Sequence, residues 1–258
     1  MRQLSSLDYE PLCINDVARI VAYLEDALFF IANRDRTWVS DGSLWFLNEK
    51  QHRNELAILN ILSSRLQYSR RFISKMDSIT RDFGRKLERD ESVREVVLSW
   101  KDLSELSRIE LIIRQIDRQI NDFARNLEIE LVPPGLYIDD SEMEIGKSYE
   151  PDLYDGPNKA HIRLTTAFFR KDNPRKAMSF VYHEVLHSIT WQFAYLESCG
   201  KIRDTNLLIR NAQLRRTLLE HNVQFPLQIY SHYKKSADEK LARRQQAIFY
   251  HIYFDKDA

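Results

Sequence analysis

Apolar residues recur at helical spacing through most of the first half of the chain, as in Val17, Ile20, Val21, Leu24 and Leu28. Such spacing gathers them on one face of a helix, and the pattern predicts helices over 12–33, 48–67, 68–90, 91–101 and 103–127. Between 128 and 170 the period changes. Short runs of β type follow one another, namely IELV, GLYIDD, EMEIGKSY and HIRLTTAFF, with turn signals between them, so a small sheet is expected. After it, the segment from Pro174 to Gly200 runs without a breaker and predicts one long helix, entered at Asn173-Pro174 and stopped by Gly200. Two more helices follow, over about 204–222 with Asp204 as N-cap and about 236–253 after Ser236. The expected fold is α+β and mostly helical: a helical region over 1–130, then a small sheet and three C-terminal helices over 131–258.

Composition narrows the function classes. The 258 residues include only 6 Gly and 7 Pro, and no two glycines lie closer than ten positions. Both G-x-G-x-x-G and G-x-x-x-x-G-K-[ST] need closely set glycines, so a dinucleotide fingerprint, a kinase Gly-rich loop and a P-loop are all missing. Seven of the thirteen Gly and Pro residues fall within 133–157, marking the turn-rich entry to the sheet. Lys+Arg and Asp+Glu both total 38, and nothing in that balance calls for nucleic acid. Residues 1–15 carry Asp8 and Glu10 and no apolar h-region, so no cleaved signal peptide is expected. The apolar stretch at 27–32 is too short to span a bilayer. Cys13 and Cys199 are expected as free thiols in a reducing compartment.

Candidate chemistry sits inside the long helix. His183-Glu184-Val185-Leu186-His187 is an H-E-x-x-H pattern. Positions i and i+4 on a helix lie about 40° apart and one turn along, so both imidazoles reach one Zn²⁺ from the same side. Glu184 projects beside them, placed to take a proton from an attacking water. The motif lies in the apolar stretch FVYHEVLHSITWQF, where two histidines and a carboxylate would be costly to bury without a shared purpose.

On this motif the chain resembles the zincin metallopeptidases, with the similarity covering roughly 130–258. The resemblance implies a peptide substrate and a zinc ion on the motif helix. It also implies a sheet whose edge strand pairs with the substrate backbone, a role that falls to the candidate strand 161–169. A zincin needs a third protein ligand. The metzincin extension fails, since Thr190 stands at its Gly position and Phe193 at its last His. Glu197 is ten residues past His187, about 15 Å along the same helix, and cannot reach. Asp204 is a candidate only if the chain folds back. Glu220 comes level with His183 if 204–222 forms an antiparallel hairpin with 175–199.

Glu239 is the favoured candidate. It lies in YKKSADEKLARRQQAIFY, which resembles the ligand helix of gluzincins, particularly the lethal-factor-like catalytic domains. Tyr233 six residues earlier and Ala242 three residues later fit that pattern, whereas Lys240, Leu241 and Arg243 depart from it. The resemblance implies Glu239 as third ligand and Tyr233 as an oxyanion stabiliser. Simpler roles stand beside these: Ser236-x-x-Glu239 is also a capping box, Tyr233 a packing residue, and Trp191 and Phe193 core.

The expected function is therefore a zinc-dependent endopeptidase. It is expected either in the cytoplasm or, as an effector or toxin protease, delivered into a host cell by a route without a signal peptide. Two alternatives come from other classes. Glu49-x-x-His52 with Glu184-x-x-His187, plus Glu25 and one of Glu88, Glu95 or Glu110, imitates a ferritin-like di-iron carboxylate set. A helical interaction module with a degenerate metal site is the other.

Overall fold

The computed structural model describes residues 19, 38–40, 45–47, 66–140, 146–151, 153, 155–169, 174–202, 208–220 and 237–254. The chain divides into two units, Met1–Ser69 with Thr217–Ala237, and Arg70–Arg216 with Asp238–Ala258. In the first, strands β1 (Trp38–Ser40) and β2 (Trp45–Leu47) pair antiparallel with Val39 opposite Phe46, a pairing the sequence pattern does not announce. The helices expected over 12–33 and 48–67 lie outside the described residues, apart from the helical Arg19 and the non-helical Leu66 and Gln67.

The second unit is a mostly helical α+β fold. Its first helix, α1 (Arg70–Arg89), buries Phe72, Met76, Ile79, Phe83 and Leu87, spaced by three or four residues along one stripe. Helix α2 (Glu91–Leu98) starts at Asp90, whose side chain accepts the Val93 N–H, and a short 3-10 turn at Trp100–Asp102 follows. Helix α3 (Glu105–Leu127) is capped by Ser104 and presents Leu111, Ile112, Ile116, Ile120 and Phe123 to the core. The expected division at 130/131 falls inside this unit, in which α3 packs against the long helix that follows the sheet.

The sheet contains β3 (Gly135–Asp139), β4 (Gly146–Tyr149) and β5 (His161–Thr165), in the order β3-β5-β4. β3 runs parallel to β5 and β4 antiparallel to it, with Ser148 opposite Ile162. Two strand expectations are corrected here. Residues 129–132 form no strand; the Gln192 side chain instead accepts the Val132 N–H at 2.8 Å and donates to its carbonyl at 2.7 Å. The segment 161–169 is not an edge strand but the central one, and it ends at Thr165, after which Thr166–Phe169 forms the short helix α4. Hydrophobic alternation tells which face of a strand is buried, here Ile162 and Leu164, but not which strands flank it.

Helix α5 (Pro174–Ser198) ends before Gly200, which adopts φ +65°, and is buried almost all round through its middle. Gln115 and Gln119 of α3 donate to the carbonyls of Met178 and Tyr182, at 2.8 and 3.1 Å, so the same four-residue step on both helices sets their register. The remaining helices are α6 (Leu208–Glu220) and α7 (Ala237–Phe254). Tyr182 stacks on Phe249 of α7 with centroids 4.4 Å apart, and Phe83 of α1 lies 5.7 Å from Tyr182 and 5.9 Å from Phe249. Each of these rings contributes about 1.5–3 kcal/mol by burial, and each pair about 0.5–1.5 kcal/mol more.

A polar chain runs beside the rings. The Tyr182 hydroxyl donates to Thr80 Oγ1 at 2.8 Å, Thr80 meets Gln245 at 2.5 Å, and Gln245 and Arg244 both donate to Asp77. Together these contacts tie α7 to α1 and α5. No helix among the described residues is long and apolar enough to cross a membrane.

Two predictions follow from the packing. A Cβ at Gly146 would fall on the Phe180 ring and lie 2.9 Å from Leu164 Cδ2. Gly146→Ala is therefore expected to destabilise the protein by about 1–3 kcal/mol in urea denaturation; an unchanged midpoint would refute this close approach. Burial opposes ionisation of Asp77, but hydrogen bonds from Arg244 and Gln245 outweigh it and hold the carboxyl below its ordinary range. A carboxyl lowered in the folded state stabilises above its unfolded pKa of about 3.9, and that stability is lost as pH falls through the folded pKa. Asp77→Asn should flatten the acid limb of the stability curve below about pH 4, as read from unfolding free energies across pH.

Candidate metal centre

The motif residues sit in the buried middle of α5, with His183 7%, Glu184 7% and His187 9% exposed. One helical turn separates the two imidazoles, and their Nε2 atoms face each other at 3.0 Å. Glu239, in the first turn of α7, brings Oε2 to 3.5 Å from His183 Nε2 and 3.3 Å from His187 Nε2. Its Oε1 accepts a hydrogen bond from Arg243 at 2.5 Å. The structure thus brings together His183, Glu184, His187 and Glu239.

The other candidates part ways. Glu220 closes α6, but its side chain lies outside the described residues, as do Asp204, Tyr233 and Ser236. Glu197 pairs with Arg216 at 3.1 Å. Of the carboxylates considered for a di-iron set, Glu95 and Glu110 are exposed, Glu110 lying 3.7 Å from Arg114; Glu25, Glu49 and His52 lie outside the described residues. Trp191 and Phe193 are core, each 1% exposed.

Three donor atoms each about 2.0–2.2 Å from a tetrahedral Zn²⁺ lie about 3.3–3.5 Å from one another. The observed triangle of 3.0, 3.3 and 3.5 Å has that size. Its chemistry agrees. Two Nε2 lone pairs directed at one point beside a carboxylate oxygen repel one another unless a proton or a cation stands between them. The other ring nitrogen of His183, Nδ1, is buried without a hydrogen-bond partner among the described residues. The residues present fit a divalent cation with imidazole and carboxylate ligands, though this donor set does not by itself name the element.

Sequence reasoning missed the supporting residues. Asp238 Oδ2 accepts from His187 Nδ1 at 2.7 Å and lies 3.1 Å from Arg215 Nη2, which also reaches Glu150 Oε1 at 2.6 Å. The Asp238-Glu239 pair was visible in the sequence, but nothing in it places Arg215 of α6 or Glu150 beside that pair. Ser148 of β4 donates its backbone N–H to Glu184 Oε2 at 2.7 Å, a contact no side-chain pattern reveals. A second cluster, Glu150, His187 and Asp238, also has ligand character, but Arg215 already supplies its positive charge.

Electrostatics follow from these contacts. Burial alone would lower the His187 pKa, yet Asp238 and Glu239 hold it well above the ordinary imidazole value. Burial likewise works against the Asp238 carboxylate, but the Arg215 charge and the His187 hydrogen bond keep it ionised far below the usual range. Glu239 is lowered in the same way, burial being outweighed by His183 and His187. Glu184 goes the other way. Burial pushes its carboxyl up, only partly offset by the two histidines and the Ser148 N–H. The site therefore stabilises positive charge between the imidazoles while raising the proton affinity of the neighbouring glutamate.

Compared with known proteins, the chain matches no family model, no curated protein and no solved structure.

Asp238→Ala is expected to destabilise the metal-free protein by about 3 kcal/mol, because it removes one of the two carboxylates that meet Arg215 and strands His187 Nδ1. Urea denaturation in a chelator measures this. A loss within experimental error of zero would show that Glu150 alone satisfies Arg215.

Proposed function

We propose that the protein is a zinc-dependent endopeptidase. The observation that carries the reading is the convergence of His183 Nε2, His187 Nε2 and Glu239 Oε2 within 3.0–3.5 Å, with Glu184 beside them on the motif helix. His183, His187 and Glu239 would hold the ion. Bound there, Zn²⁺ would supply Lewis acidity, polarising a carbonyl oxygen and acidifying water.

The chain's own groups then have definite tasks. The Ser148 N–H fixes Glu184 Oε2, leaving Oε1 to accept a proton from the attacking water. A carboxyl whose pKa is raised by burial binds that proton well and passes it to the leaving amine. Asp238 orients the His187 ring through Nδ1, which leaves Nε2 to act as ligand. Because His161–Thr165 forms the centre of the sheet, the strand for an extended peptide is β4, which occupies an edge and directs the Ser148 amide at Glu184. Main-chain pairing along β4 would give affinity without dictating sequence. In this reading Tyr233 remains the oxyanion stabiliser that the gluzincin resemblance implies. None of the described carboxylates named for a di-iron set belongs to the clusters around His187.

The test pairs two variants. Glu184→Gln should keep about one zinc per chain and lose peptide hydrolysis by about 10²–10⁴-fold. Glu239→Gln should lose most of the zinc, as read by metal analysis after dialysis. Hydrolysis undiminished in Glu184→Gln would sink the peptidase reading, and iron at about two equivalents per chain would favour the carboxylate-bundle alternative.

A further inference from the structure

Beyond the three ligands, a second line of charge runs from the sheet to the metal site. Glu150 directly follows β4, two residues after Ser148. The Glu150 carboxylate meets Arg215 of α6, a side chain only 12% exposed, and the same guanidinium nitrogen reaches Asp238. Asp238 in turn holds His187 Nδ1. Four residues from four places in the chain therefore form a continuous series, with steps of 2.6, 3.1 and 2.7 Å.

We infer that Glu150 and Arg215 are positioning residues for the metal site, acting on His187 through Asp238. The inference rests on the zinc-site reading above. The Glu150 and Asp238 carboxylates, both within 4.8 Å of a His187 ring nitrogen, would repel each other, and Arg215 between them offsets that repulsion. It also fixes where Asp238 Oδ2 can lie. With Oδ2 held 2.7 Å from Nδ1, the hydrogen of His187 is kept on Nδ1 and its Nε2 lone pair is directed at the ligand triangle. Glu150 supplies the other anchor for the guanidinium. Because it belongs to the end of β4, the edge strand is attached to the site twice: by the Ser148 amide to the proton acceptor Glu184, and by Glu150 through Arg215 to the ligand His187. The placement of one strand is thus tied to both halves of the site.

The test uses the full chain with zinc and, separately, with Co²⁺ as a spectroscopic probe. Arg215→Met removes the charge at similar volume, Glu150→Gln removes only the outer anchor, and Arg215→Lys retains charge without the fork. The first two should weaken zinc binding by about 10–100-fold, the usual effect of removing a group that orients a metal-bound histidine. Both should also alter the visible Co²⁺ spectrum, while Arg215→Lys recovers part of the affinity. A merely structural role would lower the melting temperature and leave the spectrum and zinc affinity of the folded protein unchanged, and that result overturns the inference. If Arg215→Met does not fold, Glu150→Gln and Arg215→Lys decide by the same readouts. Failure of the wild-type chain to bind zinc would instead sink the zinc-site reading itself, so the two failures are distinguishable.

Discussion

Glu239 is 1% exposed and stands against two imidazoles that face each other at 3.0 Å. A carboxylate taken that far from water costs several kcal/mol unless positive charge meets it, and the surrounding residues are arranged around that requirement. His187 carries Asp238 on its far side, Asp238 carries Arg215, and Arg215 carries Glu150. The buried charges alternate in sign outward from the histidine pair. A cation between the imidazoles would complete the alternation at its inner end.

That arrangement depends on where α7 docks. Nothing local in ADEKLARRQQAIFYHIYF directs its first turn at α5. The docking comes from further along the helix, where Phe249 stacks on Tyr182 and where Gln245 and Arg244 bond Thr80 and Asp77 of α1. Tyr182 immediately precedes His183, so the ring that packs α7 and the imidazole that meets Glu239 belong to consecutive residues. Packing and chemistry are coupled through that step, and changes in the aromatic cluster should be felt at the site. Gly84 of α1 contributes by its small size, since a Cβ there would lie 3.1 Å from Ile252 of α7.

The sheet plays an equally specific part. Placing β4 rather than β5 at the edge sets a backbone N–H over Glu184, and α5 approaches β4 closely enough that Gly146 has no room for a side chain. The glutamate is thereby held by one oxygen in a dry setting. Both facts raise the demand on the strand's position, because an amide hydrogen bond weakens steeply once its geometry is lost.

How much of this was legible in the sequence differs from one residue to the next. The stripes of α1 and α3, the breakers around α5 and the H-E-x-x-H spacing are short-range features, and short-range sterics carry them directly into helices. His183, Glu184 and His187 share a face because any helix through 183–187 must place them so. The proximity of Glu239 to that face was suggested by resemblance to a ligand helix and realised by docking, across a separation of 51 residues between His187 and Asp238. Gln192 standing in for a strand partner at Val132, β5 at the centre of the sheet, and Arg215 between two carboxylates left no periodic trace in the chain. The sequence alone determined the helices, the turn-rich entry to the sheet and the two histidines with their glutamate, since these depend on neighbours within one or two turns. The tertiary structure alone decided the strand order, the carboxylate that meets the imidazoles and the charges behind it, because those depend on which distant surfaces bury each other.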